Sequence, residues 1–334
     1  MIAFADPALE SHMKRMLVLG SIVLVGALSA TLAAVQQAPP PGPGGARGGG
    51  GGQAQPSLAG LTTDKLKDNL FVIRGGGGNT AVFITADGVT LVDTKIYGWA
   101  PFLITRIKEI TDKPVTRIVN THTHYDHTEG NPDFPATVEV VTHENTAKMM
   151  PEMKAPYGVT LTDRNVFKDS NGRGLPKRTF RDEMTIGSGN DRIQLRYFGR
   201  AHTSGDAFVI FPALRTMHTG DAFPNKGMPI MDITNGGSGL SYAETIARAA
   251  KVPDIDTVIT GHNATVVAPA DVLMYSEFIR DFVESVRAAK KAGQSIDDVA
   301  NTWKLPERFV KAGYLQPMPA RVKPNVEVLW KELN

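Results

Sequence analysis

No cysteine occurs anywhere in the 334 residues. That excludes disulfide staples, thiolate metal ligands and a cysteine nucleophile. A surplus of one charge is missing too: 36 Lys and Arg against 34 Asp and Glu leave +2. No basic stripe with interleaved aromatics appears, which argues against a nucleic acid partner. The glycine run 48–52 lacks the flanking strand, the helix and the Lys-Ser/Thr of a phosphate-cradling loop. What is present, 42% hydrophobic residues, is enough to bury a full core in one large domain.

Three regions divide the chain. Residues 1–37 read as an export signal: Met13-Lys14-Arg15 is a short basic start, and Met16 to Val35 is nearly all apolar and small. Met13 offers itself as the true start, which would make the preceding residues extraneous. The apolar run approaches the ~20 residues that span a bilayer, so an uncleaved anchor is the alternative, and only then is a membrane a partner. Either way the remainder is expected outside the cytoplasm, in a periplasm. Residues 38–58, opening Pro39-Pro40-Pro41-Gly42-Pro43, cannot bury a core and read as a disordered linker. Residues 59–334 form the expected folded domain. Nothing in the pattern specifies an oligomeric state.

Within that domain, Asn69–Arg74, Thr80–Thr85 and Val89–Asp93 read as strands separated by Gly75–Gly78 and by the turn Ala86-Asp87-Gly88. Leu103, Ile107 and Ile110 repeat at helical spacing behind Pro101. Thr116 to Asn120 is then a buried strand that opens into Thr121-His122-Thr123-His124-Tyr125-Asp126-His127, which holds three of the eight histidines. On an extended backbone His122 and His124 point the same way, and Asp126 and His127 follow after the chain turns. Imidazole and carboxylate are what borderline divalent ions such as zinc prefer. Further candidates follow strand-like runs at Ala201-His202-Thr203-Ser204-Gly205-Asp206, at His218-Thr219-Gly220-Asp221 and at Thr260-Gly261-His262. His143 and His218 read as structural or supporting, Met149, Met150 and Met153 as packing within an irregular insertion, and Asn235–Gly239 as a mobile loop. The last third reads as helical, with Tyr275, Ile279, Phe282 and Val286 on one face and Gly293 as a stop.

In order and spacing these four blocks resemble the metallo-β-lactamase fold superfamily, from about Asn69 to about Val267. The resemblance implies an α/β fold, a four-layer αββα sandwich, and two zinc ions per chain, with iron or manganese as alternatives. It implies that His122, His124 and His202 hold one ion, that Asp126, His127 and His262 hold the other, and that Asp221 bridges them. Asp93 resembles the family's buried aspartate that supports the site. A metal-bound hydroxide would attack an ester, thioester, lactone or lactam carbonyl of a small-molecule substrate, with Asp126 orienting it or receiving its proton.

Asp221 stands where one β-lactamase subclass has a cysteine ligand, so the chain is more similar to the bridging-aspartate hydrolases than to a β-lactamase proper, which stays as an alternative. Lys226 is either a substrate-carboxylate ligand or a solvated side chain. A periplasmic iron-dependent redox or sulfur-metabolism protein using the same ligands is a third reading.

Overall fold

The computed structural model describes residues 55–161 and 164–333; the expected export signal and the linker up to residue 54 lie outside the described residues. Ser57 caps a 3₁₀ turn at Leu58–Gly60, and the domain is tied down from that point.

One sheet runs in spatial order through β1 (Thr62–Lys67), β2 (Leu70–Arg74), β3 (Thr80–Thr85), β4 (Gly88–Val92), β5 (Val115–Val119), β6 (Glu139–His143) and β7 (Arg178–Phe180). Pairing is antiparallel up to β4 and parallel from β4 to β7. The second sheet has the order β12 (Thr257–Ile259), β11 (Thr216–His218), β10 (Ala207–Phe211), β9 (Ile193–Tyr197), β8 (Glu183–Ile186), with only β11 and β12 parallel. The helices are α1 (Ala100–Ile110), α2 (Tyr125–Thr128), α3 (Glu144–Met149), α4 (Val166–Asp169), α5 (Gly239–Ala249), α6 (Pro269–Lys291), α7 (Ile296–Thr302), α8 (Glu307–Lys311) and α9 (Pro319–Glu332).

Strand side chains alternate between faces, and the buried ones sort accordingly. Ala81 and Phe83 of β3 meet Val209 and Phe211 of β10 between the sheets, where Phe83 and Phe211 lie 4.9 Å apart at their ring centres. Val82 of β3 points outward to Leu103 and Ile107 of α1. Phe208 and Ile210 of β10 point the other way, to Tyr242 and Ile246 of α5 and Tyr275, Ile279, Phe282 and Val286 of α6. This is the αββα sandwich, and strands buried on both faces explain the near-continuous apolar runs of β4 and β10. The edge strands β1, β7 and β8 were not among the expected elements. β1 carries Thr-Thr-Asp-Lys on an exposed edge, so no hydrophobic alternation marks it.

Candidate metal centre

Five of the loops that leave strand ends meet at one rim of the sandwich. β4 runs into Asp93, β5 into Asn120–His124, β9 into His202, β11 into Asp221, and β12 into Thr260-Gly261-His262. Hydrogen bonds cross between the sheets here: Ala207 N–H donates to Thr121 O at 2.7 Å, and Asn79 N–H to Gly261 O at 2.6 Å. Gly261 is needed for the close approach, because a Cβ there would sit 1.8 Å from Asp221 Oδ1.

All seven candidate residues come together. Their donor atoms fall into three overlapping groups within 4.8 Å: His122, His124 and His202; His122, His127 and Asp221; Asp126, His127 and His262. Asp221 lies between the histidine groups, Oδ2 being 3.8 Å from His202 Nε2 and 3.2 Å from His262 Nε2, and Oδ1 3.3 Å from His127 Nε2. Asp126 Oδ2 is 3.3 Å from His262 Nε2. Asp126 and His262 are half-buried and mark the open side; the other five are buried.

The outer nitrogen of each deep histidine is engaged, which determines where its lone pair points. Thr121 Oγ1 donates to Asp93 Oδ2 at 2.7 Å and so accepts from His122 Nδ1–H at 3.0 Å. His127 Nδ1–H donates to Asp93 Oδ2 at 2.7 Å, His124 Nε2–H to Asp232 Oδ2 at 2.7 Å, and His202 Nδ1–H to Ile230 O at 2.7 Å. The inner lone pairs therefore converge. His124 Nδ1 and His202 Nε2 face each other at 2.9 Å with no proton left to share. His122 Nε2 is buried with no hydrogen-bond partner, and Asp221 Oδ1, also buried, has only the His127 ring nitrogen near it, at 3.3 Å. Unsatisfied buried acceptors are costly. A cation answers every one of these atoms, so the donor set fits a divalent metal.

The electrostatics agree. Burial, reinforced by His127, His124 and His202, holds His122 well below the usual histidine range, and burial with His124 beside it takes His202 down to about 4. Burial also opposes charge on His127 and Asp221, yet neighbours outweigh it: Asp221, Asp126 and Asp93 hold His127 well above its ordinary value, while His262 and His127 hold Asp221 well below. The acidic half of the site thus demands positive charge.

Asp93 and Lys95 both have positive φ, 65° and 77°, an uncommon conformation for residues other than glycine that concentrates at functional sites. Asp93 supports two histidines rather than capping a turn. His218 is a supporting residue, bonded to Asn79 O and to the N–H of Gly220, and His143 caps α3 and stacks on Tyr197. Asp232 escaped sequence reasoning: it follows no strand and sits in Met231-Asp232-Ile233-Thr234-Asn235, which reads only as a turn. It accepts hydrogen bonds from His124, from the Asn235 side chain and from the backbone of Tyr157, Thr234 and Asn235. Two expectations are corrected. Asn235–Gly239 is strapped down, with Ser204 N–H on Asn235 O, Ser238 N–H on Ala201 O and Arg200 on both Gly236 O and Gly237 O. Lys226 is neither a free solvated side chain nor turned to the site; half-buried, it pairs with Asp271 at 2.7 Å. Met150 packs with Val166 and Phe167 in a small separate cluster.

Residues 73–262, more than half of the chain, match the Metallo-beta-lactamase superfamily, and the chain belongs to that superfamily. Among curated proteins, it is 26% identical over 168 residues to 2,4-dinitroanisole O-demethylase subunit alpha of Nocardioides sp. (strain JS1661), covering 48% of this chain and 46% of that protein. Among solved structures, the stereoselective inverting sec-alkylsulfatase Pisa1 from Pseudomonas sp. is similar at a TM-score of 0.62 and 15% identity, over 80% of this chain and 50% of its own. A metallo-beta-lactamase from Pontibacter korlensis has a TM-score of 0.54 and 20% identity, over 66% of this chain and 99% of its own. The chain thus spans about half the length of the curated relative and of the sulfatase, and likeness at these identities establishes the fold alone.

Proposed function

We propose that this chain is an exported hydrolase that uses two divalent cations, zinc in the first instance, to cleave a small-molecule ester, thioester, lactone or lactam. The observation that carries the reading is the convergence of histidine nitrogens and carboxylate oxygens around Asp221, with His122 Nε2 left unpartnered in the interior. In this reading His122, His124 and His202 hold one ion, Asp126, His127 and His262 hold the second, and Asp221 touches both. Such a pair, when bound, lowers the pKa of water toward ~7 and polarises the scissile bond.

The protein's own groups do the rest. Asp93, Thr121, Asp232 and the Ile230 carbonyl orient the four buried rings, so each ring's direction is set by a partner outside the ligand set. Asp221, charged and half-enclosed by histidines, keeps the two halves at a set spacing. Asp126 faces the open side, where it can orient a nucleophile or receive its proton.

The test is turnover by the purified domain with metal content assayed and a chelator control beside it. The panel holds a chromogenic cephalosporin, a lactone, a thioester, an alkyl sulfate and an aryl methyl ether, the last two chosen because relatives are described as acting on such compounds. Two zincs per chain with chelator-sensitive acyl hydrolysis support the reading. Turnover only of the sulfate or the ether would replace the acyl substrate class. One iron per chain without hydrolysis would overturn it in favour of a redox protein.

A further inference from the structure

Taking the two-ion reading above as its basis, we propose that Asn325 of the C-terminal helix α9 is a positioning residue for the His122, His124 and His202 half of the centre. It lies beyond residues 73–262, the part that matches the superfamily. Asn325 is 2% exposed and uses its whole amide. Its Oδ1 accepts from Met231 N–H at 2.8 Å, and its Nδ2 donates to Pro229 O at 2.9 Å and to Arg321 O at 3.1 Å.

The segment it grips, Met228–Asp232, lies in no helix or strand. Ile230 sits between the two gripped residues, and its carbonyl accepts His202 Nδ1–H. Asp232 follows immediately, and its carboxylate accepts His124 Nε2–H. Two of the three histidines in this half are therefore oriented by a stretch that one buried amide pins on both sides. A second tie runs the same way: Tyr157, whose N–H donates to Asp232 Oδ1, donates its hydroxyl to Glu327 of α9 at 2.8 Å. His127, in the other half, hangs from Asp93 at the end of β4 and owes nothing to α9. The geometry thus makes α9 a support for the His124 and His202 side of the centre.

The experiment is a Zn²⁺ titration of the metal-free protein against a competing chelator, with melting temperature recorded alongside. Wild type, Asn325→Ala, the milder Asn325→Asp (which keeps an acceptor for Met231 N–H) and Val328→Ala, a buried packing control on the same helix, are compared. Removing such an outer support should weaken one of two zinc affinities by about 10–100-fold and leave the other within about 2-fold. The same loss should persist in a His262→Ala background, in which the second half lacks one of its ligands, and Asn325→Asp should fall between. Val328→Ala should lower the melting temperature and move neither affinity. Unchanged affinities in Asn325→Ala, an equal change in Val328→Ala, or failure of both Asn325 variants to fold would overturn the proposal. A wild type that binds no zinc would remove the two-ion reading itself, a distinguishable result.

Discussion

Asp221 lies between the two histidine groups, its oxygens reaching His202 on one side and His127 and His262 on the other, and in the proposed reading both halves of the centre depend on it. Asp221→Ala is expected to lower zinc from two ions toward one per chain and turnover by about 100-fold or more, with the circular dichroism spectrum retained. Two ions and full turnover in the variant would refute its bridging role. Asp206 governs a different property. Burial raises its carboxyl to about 7, against the pull of the Thr203 hydroxyl and N–H. A carboxyl raised in the fold holds a proton that the unfolded chain has released, so its contribution is complete at low pH and is lost as pH rises through about 7. Asp206→Asn should therefore flatten the decline of melting temperature between about pH 4 and about pH 7; parallel curves for the two proteins would contradict this. The candidate ligands were legible because ligand chemistry restricts residue types and strand-end loops give them regular spacing. Asp232 was not, since its role depends on a contact with His124 across 108 positions of chain.

Among elements, the loop Gly75–Gly78 between β2 and β3 is a fixed wall of the site. Gly78 N–H donates to Asp126 O at 2.9 Å, and the buried Lys95 Nζ donates to Ile73 O and Gly78 O, both at 2.6 Å. Periodicity marks this glycine run as a turn; only the fold shows that each residue abuts something rigid. A Cβ on Gly78 would lie 2.1 Å from His127 Cε1, and that ring is already held by Asp93. Gly78→Ala should then cost about 1–3 kcal/mol of stability through overpacking and weaken zinc binding in the His127 half selectively. Urea unfolding and zinc competition measure the two effects, and a wild-type result in both would show that the ring can yield. The loop Asn235–Gly239 makes the same point in reverse. Its glycines suggest mobility, but Gly237 lies where a Cβ would meet His202 O at 2.4 Å, so close packing is the reason for the residue type.

For the whole molecule, the described domain begins at its first tertiary anchors. Ser57 caps the 3₁₀ turn, and Arg106 of α1 donates to Leu58 O and Leu61 O. Deleting everything before Ser57 should leave a soluble protein with unchanged kcat and melting temperature, measured on whichever substrate the panel identifies; a large fall in kcat would give the preceding residues a part in the reaction. Local physics accounts for what the sequence alone determined here. Strand alternation, helix period, turn residues and the His-x-His-x-Asp-His block are properties of neighbours in the chain, and they mark the elements and the first candidate ligands; the resemblance of all four blocks to a known superfamily supplied the layered fold and the full set of seven candidates. The tertiary structure decided the rest: the convergence of those ligands, the direction of each imidazole lone pair, the support given by Asp232 and Asn325, and the anchoring of loops that look free. Those depend on contacts between residues up to nearly 200 positions apart, such as Arg74 with Asn263 O across 189, and no local pattern encodes which distant carbonyl or carboxylate a side chain will meet.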